Sequence, residues 1–391
     1  MPANTRRSRR PRDDRESNEP AQPCSGLLDV KPDGFGFIRT DGYVPHDGDV
    51  YVDRNRVQKL GLRSGDHIAG QAQPPAGKQR QPRLVRVDTV NGVAADELAE
   101  RPDFERLTAP SPTDRLRLEH DPREPISRIV DLLAPIGKGQ RAMIVAPPKA
   151  GKTTVMRRIA QAISNNDPDV EMFVLLVDER PEEAHEWKQV LGERAAVVAS
   201  TFDRETAEHI QTAELVLERA KRRVESGADV VILLDSLTRL ARTHNLGTRQ
   251  SGRVLSGGMD ASALDPPKRF FGSARDTEGA GSLTIVATCL VETGSRMDEV
   301  IFEEFKGRGN MEIRLDRALA EKRIFPAINV EATGTRNEEL LFGPDEHAAV
   351  TRLRRMMHSL DAEHAMDALL QHMSQTKTNA DFLDRITQAA R

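Results

Sequence analysis

The chain has 391 residues, a length that favours two domains, each able to bury its own core. Hydrophobic residues make up 38% and charged residues 30%, which excludes a chain that is disordered throughout or embedded in a membrane. The formal net charge of -4 excludes a global positive field, so a polyanionic partner needs local basic patches. Two cysteines give no disulfide framework and no apolar signal segment follows the arginine-rich amino terminus, so we expect a cytoplasmic protein with no membrane partner.

The amino-terminal part of the sequence divides into a polar tail, a β-rich segment and a connector. Residues 1–25 contain almost nothing to bury, which predicts a disordered basic tail. Within 26–95, turn residues separate short β-prone runs, which predicts a small antiparallel barrel, closed or nearly closed. These runs lie at 36–39, 50–52, 67–71 and 84–90. Residues 96–130, rich in proline and charge, predict an interdomain connector.

From residue 131 to 391, apolar runs of strand length alternate with helical patterns. This alternation is typical of βαβ units, so the sequence predicts an α/β domain with a mostly parallel sheet and a helical carboxyl-terminal end. The predicted strands are 142–146, 172–177, 196–199, 230–234 and 283–287, and the clearest predicted helices are 155–163 and 206–224.

A phosphate-binding motif lies between the first of these strands and the helix after it. The segment APPKAGKT at 146–153 ends in Gly151, Lys152 and Thr153, the most specific part of the P-loop pattern. Gly151 lets the backbone approach a phosphate, Lys152 neutralises the β- and γ-phosphates, and the Thr153 hydroxyl ligates Mg²⁺. Ala146 stands where the general pattern has glycine, but the flanking strand and helix make a chance surface turn the weaker interpretation.

Acidic residues follow two of the predicted strands. Asp235 ends the run 230–234, the position expected of a carboxylate that holds Mg²⁺, partly through water. Asp178 and Glu179 end the run 172–177, and Glu179 is our choice for the residue that orients and deprotonates the attacking water. For Asp178 the sequence leaves open a simpler interpretation as a helix cap.

Phosphoryl transfer also needs positive charge near the γ-phosphate in the transition state, often from an arginine of a neighbouring chain. Arg323 and Arg336 lie beyond the core strands, in segments expected to face outward. Because the chain has many arginines, the pattern alone leaves a surface salt bridge as an open interpretation of both.

An aromatic cluster is predicted in the amino-terminal barrel. Phe35 and Phe37 are two residues apart, which places both rings on one face of a strand, and Tyr51 on the next predicted strand extends that face. Exposed rings form a stacking platform for bases, with Arg39 and other arginines contacting phosphates. The alternative is that the rings fill the barrel core. The glycines on both sides of Phe35 and the scarcity of aromatic residues elsewhere favour the platform.

Taken together, these motifs resemble the bacterial transcription termination factor Rho family, ring-shaped RNA-dependent ATPases. The resemblance runs from residue 26 to the carboxyl end. Ala146 and the prolines after it, unusual for a general P-loop, are typical of this family. The matching segments are GFGFIR at 34–39, APPKAGKTT at 146–154, VDERPEE at 177–183, LDSLTRLAR at 234–242, EEFKG at 303–307 and EKRIFPA at 321–327.

The resemblance implies both a fold and a function. The barrel is expected to be of the OB type and to bind single-stranded, pyrimidine-rich RNA, and residues 131–391 are expected to form a RecA-like ATPase domain. The whole protein is expected to be a homohexameric RNA translocase or helicase that uses ATP and Mg²⁺ and terminates transcription. RNA polymerase and elongation factors are the further partners that the resemblance implies.

By position, the resemblance also assigns residues to each site. Catalysis is assigned to Glu179, Lys152, Arg336 and Arg323. The two arginines are expected to lie side by side and to act across a subunit interface. Mg²⁺ binding is assigned to Thr153 and Asp235. Nucleotide contacts are assigned to Gly137, Lys138, Gly139, Gln140, Arg141, Ala142, Lys149, Ala150, Gly151, Lys152, Thr153, Thr154, Arg180, Asp235 and Phe325. Primary RNA contacts are assigned to Gly34, Phe35, Gly36, Phe37, Ile38, Arg39, Asp49, Val50, Tyr51, Gln79, Arg80 and Gln81. RNA contacts that line a central pore are assigned to Ser251, Arg253, Val254, Leu255, Ser256, Gly257, Gly258 and Arg296.

Two departures from the family pattern concern RNA. Arg253 and Arg296 stand where lysine is common in the pore loops, which keeps the charge and changes the hydrogen-bond geometry. The run 79–82 has no aromatic residue at the third edge of the primary site, so we expect an altered RNA preference.

Two other classes of function compete with this interpretation. A rotary or recombinase-like P-loop ATPase binds protein or single-stranded DNA through its barrel and never translocates on RNA. An RNA-binding regulator with a vestigial nucleotide site is disfavoured, because Lys152, Thr153, Glu179 and Asp235 are all present.

Overall fold

The computed structural model describes residues 20–75, 80–98, 100–248 and 252–389. Most of the predicted tail, residues 1–19, and two predicted RNA contacts, Gln79 and Ser251, lie outside these ranges. The chain divides into two compact units, 1–99 and 100–391. In the described part of both units, no helix combines the length and the apolar character that crossing a bilayer requires.

The first unit is a small closed barrel. Its strands are ordered β3-β2-β1-β4-β5-β6, and a further pairing of β3 with β5 closes the barrel. Closure by five strands in this order confirms the OB-type barrel implied by the resemblance. The described elements are β1 (Gln22–Val30), β2 (Gly36–Arg39), β3 (Val50–Val52), α1 (Arg54–Lys59), β4 (His67–Gln73), β5 (Arg83–Val90) and β6 (Val93–Ala94).

Two features of the barrel differ from the sequence prediction. Strand β1 begins at Gln22, inside the segment predicted to be a tail, because its first residues pair with β4 from Gln22 opposite Ala72. The pairing that closes the barrel is parallel, with Tyr51 opposite Arg83, whereas the other pairings are antiparallel. Both features depend on partners distant in sequence, which local composition does not reveal.

Alternation of side chains along β2 separates the barrel core from its outer face. Ile38 is fully buried and packs in a core that includes Leu28, whereas Phe37 lies outside that core. Gly36 has a packing reason of its own: a Cβ there would lie 2.9 Å from Leu28 Cδ1 and 3.0 Å from the Asp29 carbonyl oxygen. Glycine therefore allows β2 to approach β1 closely.

The second unit is a three-layer α/β domain with a helical carboxyl-terminal end. Its sheet is ordered β11-β10-β12-β13-β9-β14-β15, and all neighbours run parallel except the β14–β15 pair. A separate two-stranded sheet joins β7 and β8. The described strands are β7 (Arg115–Leu116), β8 (Ile136–Gly137), β9 (Arg141–Ala146), β10 (Glu171–Glu179), β11 (Ala196–Thr201), β12 (Val230–Asp235), β13 (Leu283–Leu290), β14 (Met311–Arg314) and β15 (Gly334–Thr335).

Helices cover the sheet of the second unit, and their apolar spacing accounts for the packing. Helix α3 buries Val155, Ile159 and Ile163, one residue for each turn on the same face. Strand β12 is buried at every position, as expected of a central strand covered on both faces. The described helices are α2 (Pro125–Leu133), α3 (Lys152–Asn166), α4 (Pro181–Leu191), α5 (Thr206–Glu225), α6 (Leu237–Gly247), α7 (Asp265–Gly272), α8 (Arg296–Phe305), α9 (Arg317–Glu321), α10 (Pro344–His358), α11 (Ala362–Ser374) and α12 (Asn379–Ala389).

Much of the segment predicted as a connector packs within the second unit. Phe104 is fully buried, its N–H donates a 2.9 Å hydrogen bond to Glu225, and Arg275 Cζ lies 4.7 Å from its ring centroid. Arg128 of α2 is also buried and donates hydrogen bonds to the carbonyl oxygens of Met373 and Thr376 at 3.0 Å each. The domain boundaries drawn from the sequence stay a prediction.

Candidate nucleotide and RNA sites

The phosphate loop connects the carboxyl end of β9 to α3. Gly151 precedes the helix in the left-handed conformation, φ 94° and ψ 18°, which favours glycine. No side chain caps the first turn of α3, so its N–H groups and the helix dipole are available to an anion in front of it. Lys149 and Thr154 are exposed beside this opening, and Ala150 is buried beneath it.

Lys152, the first residue of α3, reaches the end of strand β12. Its Nζ donates a hydrogen bond to Oδ1 of Asp235, which is fully buried, and lies 3.9 Å from Oε1 of Glu179. Thr288 of β13 donates a second hydrogen bond to the same Asp235 oxygen at 2.8 Å. The structure therefore brings together Lys152, Glu179 and Asp235, each of which comes from a different sequence motif.

Glu179 lies buried at the end of β10, and burial is the main cause that raises its pKa to about 7. The negative charge of Asp235 adds to this increase. Arg239 in the first turn of α6 holds the carboxylate, with 2.9 Å between Nε and Glu179 Oε1. A carboxylate with this pKa accepts a proton readily near neutral pH, as a catalytic base must.

Asp178, whose role the sequence left open, does not cap a helix. Its backbone has a positive φ of 54°, and its carboxylate accepts a 3.1 Å hydrogen bond from Arg239. Asp178 therefore shares with Glu179 a contact to Arg239.

The residues of this pocket fit a Mg²⁺ ion. Oδ2 of Asp235 is buried and has no hydrogen-bond partner in the described part of the chain, so one oxygen remains for a cation or its water. Thr153 stands half-buried at the start of α3, where its hydroxyl can be a ligand. Carboxylate oxygens of Glu179, Glu183 and Asp235 all lie within 4.8 Å of one another. Oxygen donors of this kind are the ligands that Mg²⁺ prefers.

Arg336 lies at the opposite end of the sheet from the phosphate loop of its own chain. The backbone N–H of Arg336 donates a hydrogen bond to the carbonyl of Asn310 at 2.8 Å. The backbone N–H of Asn310 donates to the carbonyl of Arg141 at 3.0 Å. Arg141 is the first residue of β9, whereas Lys152 follows the other end of that strand. The strand spans roughly 17 Å, so Arg336 does not share a site with the Lys152 of its own chain.

Arg323 and Phe325 lie at the other end of β14, which corrects the expectation that Arg323 stands beside Arg336. The N–H of Leu315, just after β14, donates to the Val145 carbonyl at 2.9 Å, next to the start of the phosphate loop. Helix α9 follows directly, and Arg323 and Phe325 come after it, both exposed. Strand β14 thus separates the two arginines.

The turn before β9 also lies away from the phosphate loop of its own chain. Gly139 has a φ of 89°, and a Cβ there would lie 2.0 Å from the Asp276 nitrogen, so the turn requires glycine. Lys138 pairs with Asp114 and Asp229 at 2.6 and 2.9 Å. Six predicted nucleotide contacts therefore lie at the far end of β9 from Lys152. They are Gly137, Lys138, Gly139, Gln140, Arg141 and Ala142.

Three aromatic rings form a cluster on the barrel, outside its core. Phe37 of β2 lies directly opposite Tyr51 of β3, and their ring centroids are 5.9 Å apart. Phe35 lies just before β2, and its ring centroid is 5.7 Å from each of the other two. All three rings are half-buried and absent from the packed core, which rules out the alternative that they fill the barrel.

Other predicted RNA contacts have different surroundings. Arg39 is buried and forms ion pairs with Asp29 and Asp49, and Asp49 is fully buried. The charge of Arg39 is therefore already paired within the barrel. The side chains of Ile38 and Val50 belong to the barrel core, whereas Arg80 and Gln81 line, with Tyr51, Asp53 and Arg83, a surface cleft of about 370 Å³.

The two predicted pore loops lie next to each other in the second unit. A Cβ at Gly257 would lie 2.4 Å from the backbone nitrogen of Met297, so the first loop touches the start of α8. Arg296 begins α8 and Arg253 lies in the first loop, and both are exposed, as is Val254. The structure therefore brings both arginines to neighbouring segments.

Sequence reasoning missed three residues of the nucleotide site. Arg239 lies four residues after Asp235, and Glu183 lies four residues after Glu179. When a helix follows a strand directly, a residue in its first turn lies close to the end of that strand, so this spacing was a usable signal. Thr288 lies within an apolar strand and carries no signal in the sequence, because its contact with Asp235 depends on the order of strands.

The fold and the sites define a class of protein: a P-loop nucleotide-binding unit with a RecA-like sheet and an OB-type barrel that presents an aromatic face. Residues 127–334 match the nucleotide-binding domain of the ATP synthase alpha/beta family, and residues 24–96 match the RNA-binding domain of the Rho termination factor. The chain belongs to the Rho transcription termination factor family.

Curated relatives named transcription termination factor Rho support this membership. The Streptomyces lividans protein is 57% identical over 368 residues, covering 93% of this chain and 52% of that protein. The Mycobacterium bovis protein is 52% identical over 374 residues, covering 94% of this chain and 62% of that protein. The Aquifex aeolicus protein is 52% identical over 362 residues, covering 92% of this chain and 83% of that protein. The chain thus spans between half and two thirds of the first two relatives.

A solved structure supports the fold of the second unit. An ATPase from the type III secretion system of pathogenic bacteria aligns with a TM-score of 0.60 and 20% identity, covering 72% of this chain and 87% of that chain. At this identity the likeness shows the fold alone.

Proposed function

We propose that this protein is an RNA-dependent ATPase and RNA translocase or helicase that binds nascent single-stranded RNA and terminates transcription. The observation that carries the proposal is the outward aromatic cluster of Phe35, Phe37 and Tyr51. Rings at this spacing suit the stacking of unpaired bases. The match of residues 24–96 to the Rho RNA-binding domain favours RNA over single-stranded DNA as the partner.

The hydrolysis step uses the residues gathered at the end of the sheet. Lys152 and the N–H groups of the first turn of α3 hold the β- and γ-phosphates. Glu179 orients the attacking water and accepts its proton, while Arg239 fixes the direction of the carboxylate. Thr153 and Asp235 would hold Mg²⁺, which neutralises charge that develops on the phosphates. Phe325, exposed near the same end of the sheet, is suited to stack on the base.

An arginine supplied by a neighbouring copy completes the site. Because Arg336 lies at the far end of the sheet from its own phosphate loop, it can reach a γ-phosphate only in another copy. The turn from Gly137 to Arg141 lies at the same end and would meet the same neighbouring nucleotide. Head-to-tail contacts of this kind form a closed ring when the rotation between copies closes, as it would in the homohexamer that we propose.

Hydrolysis is coupled to RNA through the two pore loops. Both loops follow strands of the nucleotide site, since the first comes after β12 and α6 and the second directly after β13. Arg253 and Arg296 supply positive charge for phosphates. Movement of RNA through the ring toward RNA polymerase would terminate transcription, a role that places the protein in the cytoplasm with the polymerase and its elongation factors.

ATP hydrolysis measured with different polynucleotides tests this function. We expect poly(C) RNA to stimulate turnover strongly and single-stranded DNA of matched length to stimulate it weakly. Equal stimulation by both would favour the recombinase-like alternative, and stimulation by neither would remove the RNA-driven function.

The Phe37→Ala variant tests the aromatic cluster. We expect capture of single-stranded RNA by the full chain to weaken by about 1 to 3 kcal/mol, because one stacking surface is lost. ATP turnover at saturating RNA should stay close to that of the unmodified protein. Fluorescence anisotropy of labelled oligo(C) measures the affinity, and Val85→Ala, which removes an exposed apolar side chain of the same barrel, is the matched control. Equal affinities for both variants would contradict base stacking on this face.

A further inference from the structure

The side chain of Arg336 has no polar partner in the described part of the chain. It is exposed, and its guanidinium forms neither an ion pair nor a hydrogen bond with a described residue. Its backbone is held instead, by the bond to Asn310 and by the neighbouring Thr335, whose hydroxyl donates to the carbonyl of Pro135 at 2.7 Å. A long side chain without partners samples many rotamers, so the backbone that carries it decides where it can reach.

Arg354 of α10 contacts the chain on both sides of Arg336. Its Nη1 donates a 3.1 Å hydrogen bond to the carbonyl oxygen of Thr333, which precedes Arg336. Its Nη2 forms a 2.9 Å ion pair with Oε2 of Glu338, which follows Arg336. The same nitrogen donates to the carbonyl oxygen of Leu133, the last residue of α2. One planar guanidinium thus joins three segments, a geometry that the ammonium of a lysine does not reproduce.

The segment between these two contacts is short and sharply turned. Strand β15 pairs with β14 and ends directly before Arg336. Asn337 follows in the left-handed conformation, φ 54° and ψ 38°, which asparagine adopts more readily than most residues. The side chains of Arg354 and Glu338 are only 25% and 16% exposed, so water and salt screen their ion pair less than one on the surface. Arg354 therefore holds both ends of the turn that presents Arg336.

An ordinary explanation of Arg354 is that it anchors α10 to the core of the second unit. Its bond to Leu133 fits that explanation, because helix α2 is buried along its length. The contacts with Thr333 and Glu338 go further, since they lie on both sides of one exposed arginine. The two explanations predict different results: an anchor stabilises the fold, whereas a contact that positions Arg336 changes turnover.

We propose that Arg354 is a positioning residue that directs Arg336 toward the nucleotide of a neighbouring copy. Its guanidinium is engaged by Thr333, Glu338 and Leu133, so it acts on the nucleotide only through Arg336. Misplacing a catalytic group by about 1 Å costs on the order of 10²-fold in rate. This inference rests on the proposed function and deepens it, because it names a residue on which the shared site depends.

Turnover and nucleotide binding of Arg354→Met test the positioning role. With RNA and ATP saturating, we expect turnover to fall by about 10- to 100-fold, while affinity for a non-hydrolysable ATP analogue stays within about twofold. Arg354→Lys keeps the charge and should recover part of the turnover. Arg355→Met, at an exposed position of the same helix, is the matched control. Equal turnover in folded Arg354→Met and Arg355→Met proteins would overturn the proposal.

A milder variant covers the case in which Arg354→Met does not fold. Glu338→Gln removes the ion pair and leaves the bonds of Arg354 to the two carbonyls in place, so we expect a smaller loss of turnover with the same unchanged affinity for the analogue. Fluorescence of the buried Trp187 reports whether each variant is folded. If only Glu338→Gln folds, turnover equal to that of Arg355→Met overturns the proposal.

Mixed assemblies distinguish a misdirected Arg336 from a damaged nucleotide pocket. Arg354→Met keeps its own pocket, so mixing it with Lys152→Ala, which keeps a well-directed Arg336, should raise hydrolysis above the sum of the two chains measured separately. Mixing it with Arg336→Ala should give no such gain, because neither chain supplies a well-directed arginine.

The opposite pattern would overturn the proposal. A gain with Arg336→Ala, or none with Lys152→Ala, would place the defect of Arg354→Met in its own pocket. The mixture of Arg336→Ala with Lys152→Ala serves as the reference. A gain in that reference mixture alone would overturn the role of Arg354 and leave the shared site standing. No gain even there would overturn the shared site itself, and this inference with it.

Discussion

Lys152→Ala is expected to lower ATP turnover on the order of 10²- to 10³-fold, since a donor aimed at the phosphates is lost from the transition state. The same change leaves Asp235 with an uncompensated negative charge, because the ammonium of Lys152 is its ion-pair partner. RNA capture by the barrel should stay intact, because the aromatic cluster belongs to the other unit of the chain. Steady-state hydrolysis and oligo(C) anisotropy measure the two effects separately.

Two control variants distinguish the loss of the Lys152 charge from unfolding of the protein. Lys152→Met keeps the length of the side chain without its charge, and Lys188→Ala removes an exposed lysine from helix α4. Trp187 is the only tryptophan in the chain and is fully buried, so its fluorescence reports whether the second unit is folded. Loss of RNA capture together with turnover in a folded Lys152→Met protein would contradict two separate sites.

Arg336→Ala is expected to lower turnover by about 10³-fold or more while ATP affinity changes little, because an arginine finger stabilises charge that appears in the transition state. The structure adds a stricter expectation. Since Arg336 and Lys152 lie at opposite ends of one sheet, we expect each shared site to take Lys152 from one copy and Arg336 from another.

Mixing the two inactive variants tests this arrangement directly. The Arg336→Ala chain keeps Lys152, and the Lys152→Ala chain keeps Arg336. A site formed between the nucleotide pocket of the first chain and Arg336 of the second therefore has both residues, so mixed rings should regain part of the ATP hydrolysis. Native mass spectrometry verifies that mixed rings form, and Arg352→Ala, an exposed arginine of α10, is the matched control. Mixed rings that stay inactive would show that Arg336 does not act across an interface.

Local sequence determined the class of fold and the centre of the nucleotide site. Apolar runs bounded by turn residues identified β9, β10, β12 and β13, because strand length and side-chain period are short-range properties. The phosphate loop was recognisable for the same reason, since Gly151, Lys152 and Thr153 act as consecutive residues. Glu179 and Asp235 each end an apolar run, and they lie close together because β10 and β12 are parallel neighbours in the sheet.

Only the tertiary structure decided how the remaining charges are used. It paired Arg39 with two carboxylates and separated Arg323 from Arg336 along β14. It also placed Thr288 against Asp235 and Arg239 against Glu179. Each of these contacts joins residues through the order of strands or the direction of a helix. The energy of a charge depends on its distance to other charges and on its burial, and neither quantity is a property of neighbouring positions in a sequence.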